Sequence, residues 1–257
     1  MDALTRLNPR RALLLGLLPA ALLACATYIP VVPAFEWDRA ADHELVSYAC
    51  YGGLMPQEAM DNDIPTYRLW GDGRALWVEE QSNGARRVLT ATLSDDQIRA
   101  VLNEMAQRRF FTMADSYEPS STVYDGVACV MRASLIDTTK SVNALTGGTP
   151  PDDFWTLAGW LAQGAGITGV DYVPERGYLF ATPVSATPTS PTHTWPAEGI
   201  GGVRLVDAVG GIEVEGDALR AAWDIVNAGI YSAVESEGVP YHLHVQIEGV
   251  TTNYPTR

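Results

Sequence analysis

The sequence predicts an α+β fold in which antiparallel sheets are packed by amphipathic helices. Three observations carry this expectation. Alternating apolar runs separated by Asp-Gly and Gly-rich turns have the period of strands. A capped helical pattern begins at Ser94, with apolar residues at i, i+3, i+4 and i+7. The same order of helix and then strand returns between residues 217 and 247.

The amino-terminal stretch sets the compartment. Arg6, Arg10 and Arg11 precede the apolar run of residues 12–24, the charge-then-apolar order of a signal peptide. This run falls short of the roughly 20 apolar residues that a membrane span needs. Extending it to Val32 would reach that length, but Pro19, Thr27 and Pro30 interrupt it. At its end, Leu22-Leu23-Ala24-Cys25 resembles the lipobox of bacterial lipoproteins. The resemblance implies removal of residues 1–24, lipid on Cys25, and a membrane as partner through that lipid. Ordinary cleavage after Ala26 is the competing reading, because Ala24-Cys25-Ala26 also follows the small-x-small rule. One acyl chain binds a membrane only marginally, whereas several anchor stably. The folded part is then expected in the cell envelope, lipid-anchored on the extracytoplasmic side of a membrane. Residues 25–42 read as a tether, and the fold is expected to begin near His43.

The chain carries 17 basic and 31 acidic side chains, a formal charge of −14. Losing three arginines and one aspartate with the signal brings it to about −16. Nucleic-acid binders carry basic patches, so this balance argues against such a partner. Of three cysteines, Cys25 goes to the lipid, leaving Cys50 and Cys129 as an even pair in an oxidising compartment. Cys50 ends the alternating run 46–50, and Cys129 shares a face with Met131, Ala133 and Leu135, so both point inward. A bridge between them would contribute on the order of 4 kcal/mol in the chain-entropy account. Two buried free thiols are the alternative.

In chain order, residues 67–78 read as a hairpin turning at Asp72-Gly73, a two-residue type I′ pair. That register puts Tyr67, Leu69, Leu76 and Val78 on a core face. Arg68, Trp70, Ala75 and Trp77 fall on the other, where Arg68 can lie on Trp77 either as a cation–π surface pair or as part of a binding face of Arg68, Trp70 and Trp77. A strand over 87–93 leads into Ser94-Asp95-Asp96-Gln97, a capping box stapled by Leu93 and Ile98. Ile98, Val101, Leu102 and Met105 then form the buried helical stripe, and Phe110-Phe111 dock its exit. Asp125-Gly126 turns the chain into a strand over 127–137, with 138–145 as its hairpin partner, and a helix over 152–162 closes the first α+β unit, residues 43–170.

Residues 171–257 form a second, smaller α+β unit, reached through the Thr-, Ser- and Pro-rich connector 182–196. Aligning Asp217 with Asp96 sets Leu219, Ala222, Trp223 and Val226 against the four apolar positions of the first helix. Glu237-Gly238-Val239 likewise matches Asp125-Gly126-Val127. A tandem duplication and the common occurrence of helix-then-strand order both account for this echo. The layout from Leu69 to Gly126 resembles a pattern in uncharacterised exported bacterial domains. The two-unit architecture is loosely similar to secreted enzyme inhibitors such as β-lactamase inhibitor protein, a fold-level likeness that carries no activity.

Motifs with chemical potential have bland readings beside them. Gly164-Ala165-Gly166-Ile167-Thr168-Gly169 has the letters of a dinucleotide fingerprint, but it follows a helix where that motif must follow a strand. His242 and His244 share a strand face with Gln246 and Glu248 and are the weak metal candidates, with solvent-facing histidines as the alternative. Asp61-Asn62-Asp63 lacks the glycine and closing glutamate of a calcium loop, and Asp95-Asp96 suits a helix N-terminus. No nucleophile elbow, P-loop or zincin motif is present in the sequence. The expected function is a non-catalytic binding or interaction module for an unknown protein or small-molecule ligand, with no cofactor. An envelope hydrolase and a structural spacer are the alternatives. A pocket converging His242, His244 or an acidic pair favours the hydrolase, and a flat aromatic face near Trp70 and Trp77 favours binding.

Overall fold

Alternating runs do become strands, and among the described residues they assemble into two mostly antiparallel sheets with three helices. The computed structural model describes residues 35–54, 60–184, 193–229 and 233–252, all within one unit of the chain. The expected signal sequence and start of the tether, Cys25 and most of the expected connector lie outside these residues. The first sheet contains β1 (Glu44–Gly52), β2 (Tyr67–Trp70), β3 (Arg74–Glu80), β4 (Arg86–Thr92), β5 (Ser116–Tyr117), β6 (Val127–Ser134), β7 (Thr139–Leu145) and β8 (Val170–Asp171). Its order is β5-β7-β6-β1-β2-β3-β4-β8. The second contains β9 (Arg176–Pro183), β10 (His193–Thr194), β11 (Ile212–Glu215), β12 (Ala233–Ser236) and β13 (Val239–Gln246), in the order β10-β12-β13-β9-β11. The α+β expectation holds.

Helix α1 (Asp95–Gln107) starts at the Ser94 capping box: Gln97 N–H donates to Ser94 Oγ, and Ser94 N–H donates to Gln97 Oε1. Its buried residues are Ile98, Val101, Leu102 and Met105. They join Phe154, Leu157 and Leu161 of helix α2 (Asp152–Ala162) in one core on the first sheet. Asp153 links the two helices by pairing with Arg108 and Arg109. Asp95, at the start of α1, pairs with Arg39 at 2.7 Å, so Asp95-Asp96 and Asp152-Asp153 both serve helix N-termini. Packing begins upstream of His43. Trp37 is only 5% exposed, and Phe35 stacks on Phe111.

The register of the β2–β3 hairpin differs from the expected one. Tyr67 pairs with Trp77, Arg68 with Leu76 and Leu69 with Ala75, leaving Gly71-Asp72-Gly73 as a three-residue loop. Gly73 takes a φ of 91°, and Asp72 Oδ1 accepts from Arg74 N–H. A one-residue slip exchanges faces. Tyr67, Leu69, Ala75 and Trp77 therefore meet the α1–α2 core, while Trp70, Leu76 and Val78 enter a second core with β9, β13 and helix α3 (Gly216–Asn227). The first sheet is thus covered on both faces. Trp70 and Trp77 are 8% and 1% exposed, so they offer no open aromatic face. Arg68 does not lie on Trp77. Its Nε pairs with Glu44 at 2.8 Å, and Arg74 instead stacks over Trp70.

The echo between units is local. Leu219, Ala222, Trp223 and Val226 are buried as expected, and Asp125 and Glu237 both take positive φ before their strands. β6 lies beside β1 much as β13 lies beside β9. The outer neighbour of β6, however, follows it in the chain, while that of β13 precedes it.

Cys50 and Cys129 are opposite one another in the β1–β6 ladder and form a disulfide. That bond points to an oxidising, extracytoplasmic setting. Among the described residues, no helix is long and apolar enough to cross a membrane.

Candidate functional site

Residues 60–66, ahead of β2, bring Asn62, Asp63 and Ile64 against both sheets, and a cleft of about 710 Å³ opens beside them. Strands β1 and β3 supply Tyr48, Cys50, Val78, Glu79 and Glu80; α2 supplies Trp155 and Gly159; β13 supplies His242. Trp155 is 48% exposed, because Phe154, Leu157 and Leu161 take the core side of its helix. Trp155, Ala158, Gly159 and Ala162 follow one another at helical spacing along the neighbouring side, with buried Ala158 at its border with the core, and form a wall. A Cβ added at Gly159 would meet no atom within 4 Å.

The polar groups of the cleft are fixed from behind. Arg86 donates to the carbonyls of Asn62 (2.8 Å) and Val226 (3.3 Å), the latter in the last turn of α3, where positive charge is favoured. Burial lowers the Arg86 pKa, opposed by the nearby charges of Asp63 and Glu80. Burial raises the Asp63 pKa, opposed by a hydrogen bond from the Thr252 hydroxyl at 3.2 Å and by Arg86 and Arg68. Asn62 is buried; its Nδ2 donates to Leu243 O and its Oδ1 accepts from Val245 N–H. It therefore acts as a one-residue strand on β13, beyond the point where β12 stops pairing.

No family model, no curated protein and no solved structure matches this chain. The site must be read from its own residues.

His242 reaches the cleft, but His244 does not line it. His244 stacks on Phe180 with ring centroids 4.4 Å apart, and its Nε2 lies 3.0 Å from Gln246 Nε2. Burial lowers its pKa, against the weaker pull of Asp61 at 4.0 Å. Among the described residues, no three His, Cys, Asp or Glu side chains gather as a metal-holding group. Gly164-Ala165-Gly166-Ile167-Thr168-Gly169 is a turn off the end of α2 that cradles Trp77. A Cβ at Gly164 or Gly169 would fall 2.5 or 2.3 Å from the indole. These glycines make room for a side chain, which accounts for the fingerprint letters.

Sequence reasoning missed the roles of Arg86, Asp63, Tyr48 and Trp155. One signal was available: the Trp155, Ala158, Gly159, Ala162 spacing marks a second, small-residue face on a helix whose other face is plainly core. The rest depends on contacts between residues far apart in the chain.

Proposed function

We propose that this chain is an exported lipoprotein, anchored through lipid on Cys25, whose folded part binds a ligand in the cleft without transforming it. The observation that carries the reading is the cleft itself. Its volume of about 710 Å³ lies within the range of small-molecule sites, roughly 300–1,000 Å³. Its lining has the composition of such sites, with apolar and aromatic walls and a few placed polar groups. Asp63 and Arg86 are engaged in internal hydrogen bonds, an arrangement suited to orienting a ligand. An aromatic surface around Trp70 and Trp77 plays no part, since both are buried.

Gly159→Phe tests the cleft, because Gly159 lines it, a Cβ there meets no atom within 4 Å, and the helix needs no glycine at that position. Native mass spectrometry after incubation with an envelope extract should show a bound small molecule on the parent protein and none on the variant, at matched melting temperature. Equal occupancy, or none on either, counts against the reading. The anchor is tested separately: a fatty-acid probe should label the parent protein, and Cys25→Ser should leave the membrane fraction.

One observation favours the envelope hydrolase as a second reading. His242 shares the cleft with Asp63, Glu79 and Glu80, which provides groups for general acid–base chemistry. Turnover of a model ester or glycoside that is lost in His242→Ala would support it. A structural spacer leaves the cleft without a use.

A further inference from the structure

We infer that the Cys50–Cys129 bridge is exchangeable in the folded protein and is opened by thiolate attack on Cys50 Sγ. The inference is independent of what the cleft binds. The two half-cystines differ in access: Cys50 is exposed and lines the cleft, whereas Cys129 is buried among core residues. Exposed disulfides are the ones that exchange, while shielded structural ones resist. An approaching thiolate therefore meets the sulfur of Cys50 first.

The ladder explains why the fold tolerates an open bond. Cys50 faces Cys129 within a continuous register that runs from Val46↔Ala133 to Gly52↔Val127. The backbone pairing that joins β1 to β6 lies on both sides of the bridge and does not depend on it. Tyr48 adds a chemical element. Its hydroxyl lies 3.2 Å from Cys50 Sγ, and because a disulfide sulfur has no proton, the hydroxyl is the donor. After reduction the same hydroxyl stabilises the Cys50 thiolate.

The reductant is a small thiol or a protein dithiol. Its thiolate forms a bond to Cys50 Sγ as the bond to Cys129 breaks. The electron pair leaves on Cys129 Sγ, which takes a proton from water. With a dithiol, the second thiolate attacks the reductant's own sulfur in this mixed disulfide and releases Cys50 as a thiolate. The dithiol loses two electrons to become a disulfide, and the bridge gains them.

The test uses the complete exported chain in detergent, treated with reduced glutathione at neutral pH, quenched with acid and mapped by peptide mass spectrometry. The expected result is glutathione on Cys50 and a free thiol on Cys129, with the circular dichroism spectrum and cooperative melting retained. Reaction only after unfolding in guanidinium, or glutathione on Cys129, overturns the inference. Tyr48→Phe isolates the positioning role. In the reduced variant, Cys50 should react with iodoacetamide several-fold more slowly than in the reduced parent, and equal rates would remove Tyr48 from the scheme.

Discussion

At His244 the balance between burial and charge decides the protonation state. The ring is half-buried against Phe180, and burial outweighs the carboxylate of Asp61, so the folded protein holds this histidine neutral below its usual pKa of 6.5. The unfolded chain binds the proton more readily. Stability from this group is therefore full above pH 6.5 and is lost as pH falls through 6.5 toward the lowered folded value. His244→Phe keeps a ring on Phe180 and removes the titration. Melting temperatures measured from pH 7.5 to 5 should fall less steeply in the variant; matching slopes would mean that His244 titrates as an ordinary exposed histidine. Asp63 has the opposite sign, since burial raises its pKa and its ionised form costs stability near neutral pH. Neither sign was legible in the sequence. A histidine in an alternating strand has the same letters whether it faces solvent or an aromatic ring.

Elements fared differently according to whether their determinants are local. The α1 cap, stripe and staple lie within a dozen residues, and the helix forms where Ser94, Gln97 and the apolar spacing place it. The β2–β3 hairpin was misread because Gly71-Asp72-Gly73 supports two loop lengths. Remote packing selects the longer one. A Cβ at Gly71 would collide with Asp38 O, and one at Gly73 would lie 2.4 Å from Leu93 O. Asn62 is an element-scale device of the same kind, since it completes the edge of β13 from 181 residues away. Asn62→Ala would strand a buried carbonyl and a buried N–H, each costing about 1–3 kcal/mol. At roughly 2–4 °C per kcal/mol for a chain of this size, the melting temperature should drop by about 4–24 °C. An unchanged melting curve would show that water replaces the side chain at no cost.

For the whole molecule, periodicity announced the α+β class but concealed the stacking of its layers. Strand β3, Arg-Ala-Leu-Trp-Val-Glu-Glu, is apolar at four successive positions because it is buried on both faces. Choosing one face for it is what sent Trp77 outward in the sequence reading. The disulfide was legible for a better reason, since removing Cys25 leaves an even pair on two alternating runs; the inward parity expected for both holds for buried Cys129 but not for Cys50, which is exposed near the end of β1. Its stabilising role belongs to this scale, because the loop it closes spans 79 residues while the strands it joins are already paired. Most of its effect must then fall on the unfolded ensemble, at about 4 kcal/mol in the chain-entropy account. A Cys50→Ser, Cys129→Ser double variant should melt roughly 8–16 °C below the oxidised parent with the same folded-state spectrum, and reduction of the parent should produce the same decrease. If the double variant instead melts with the oxidised parent, the loop closure is already present in the unfolded chain, through residual contacts between the β1 and β6 segments.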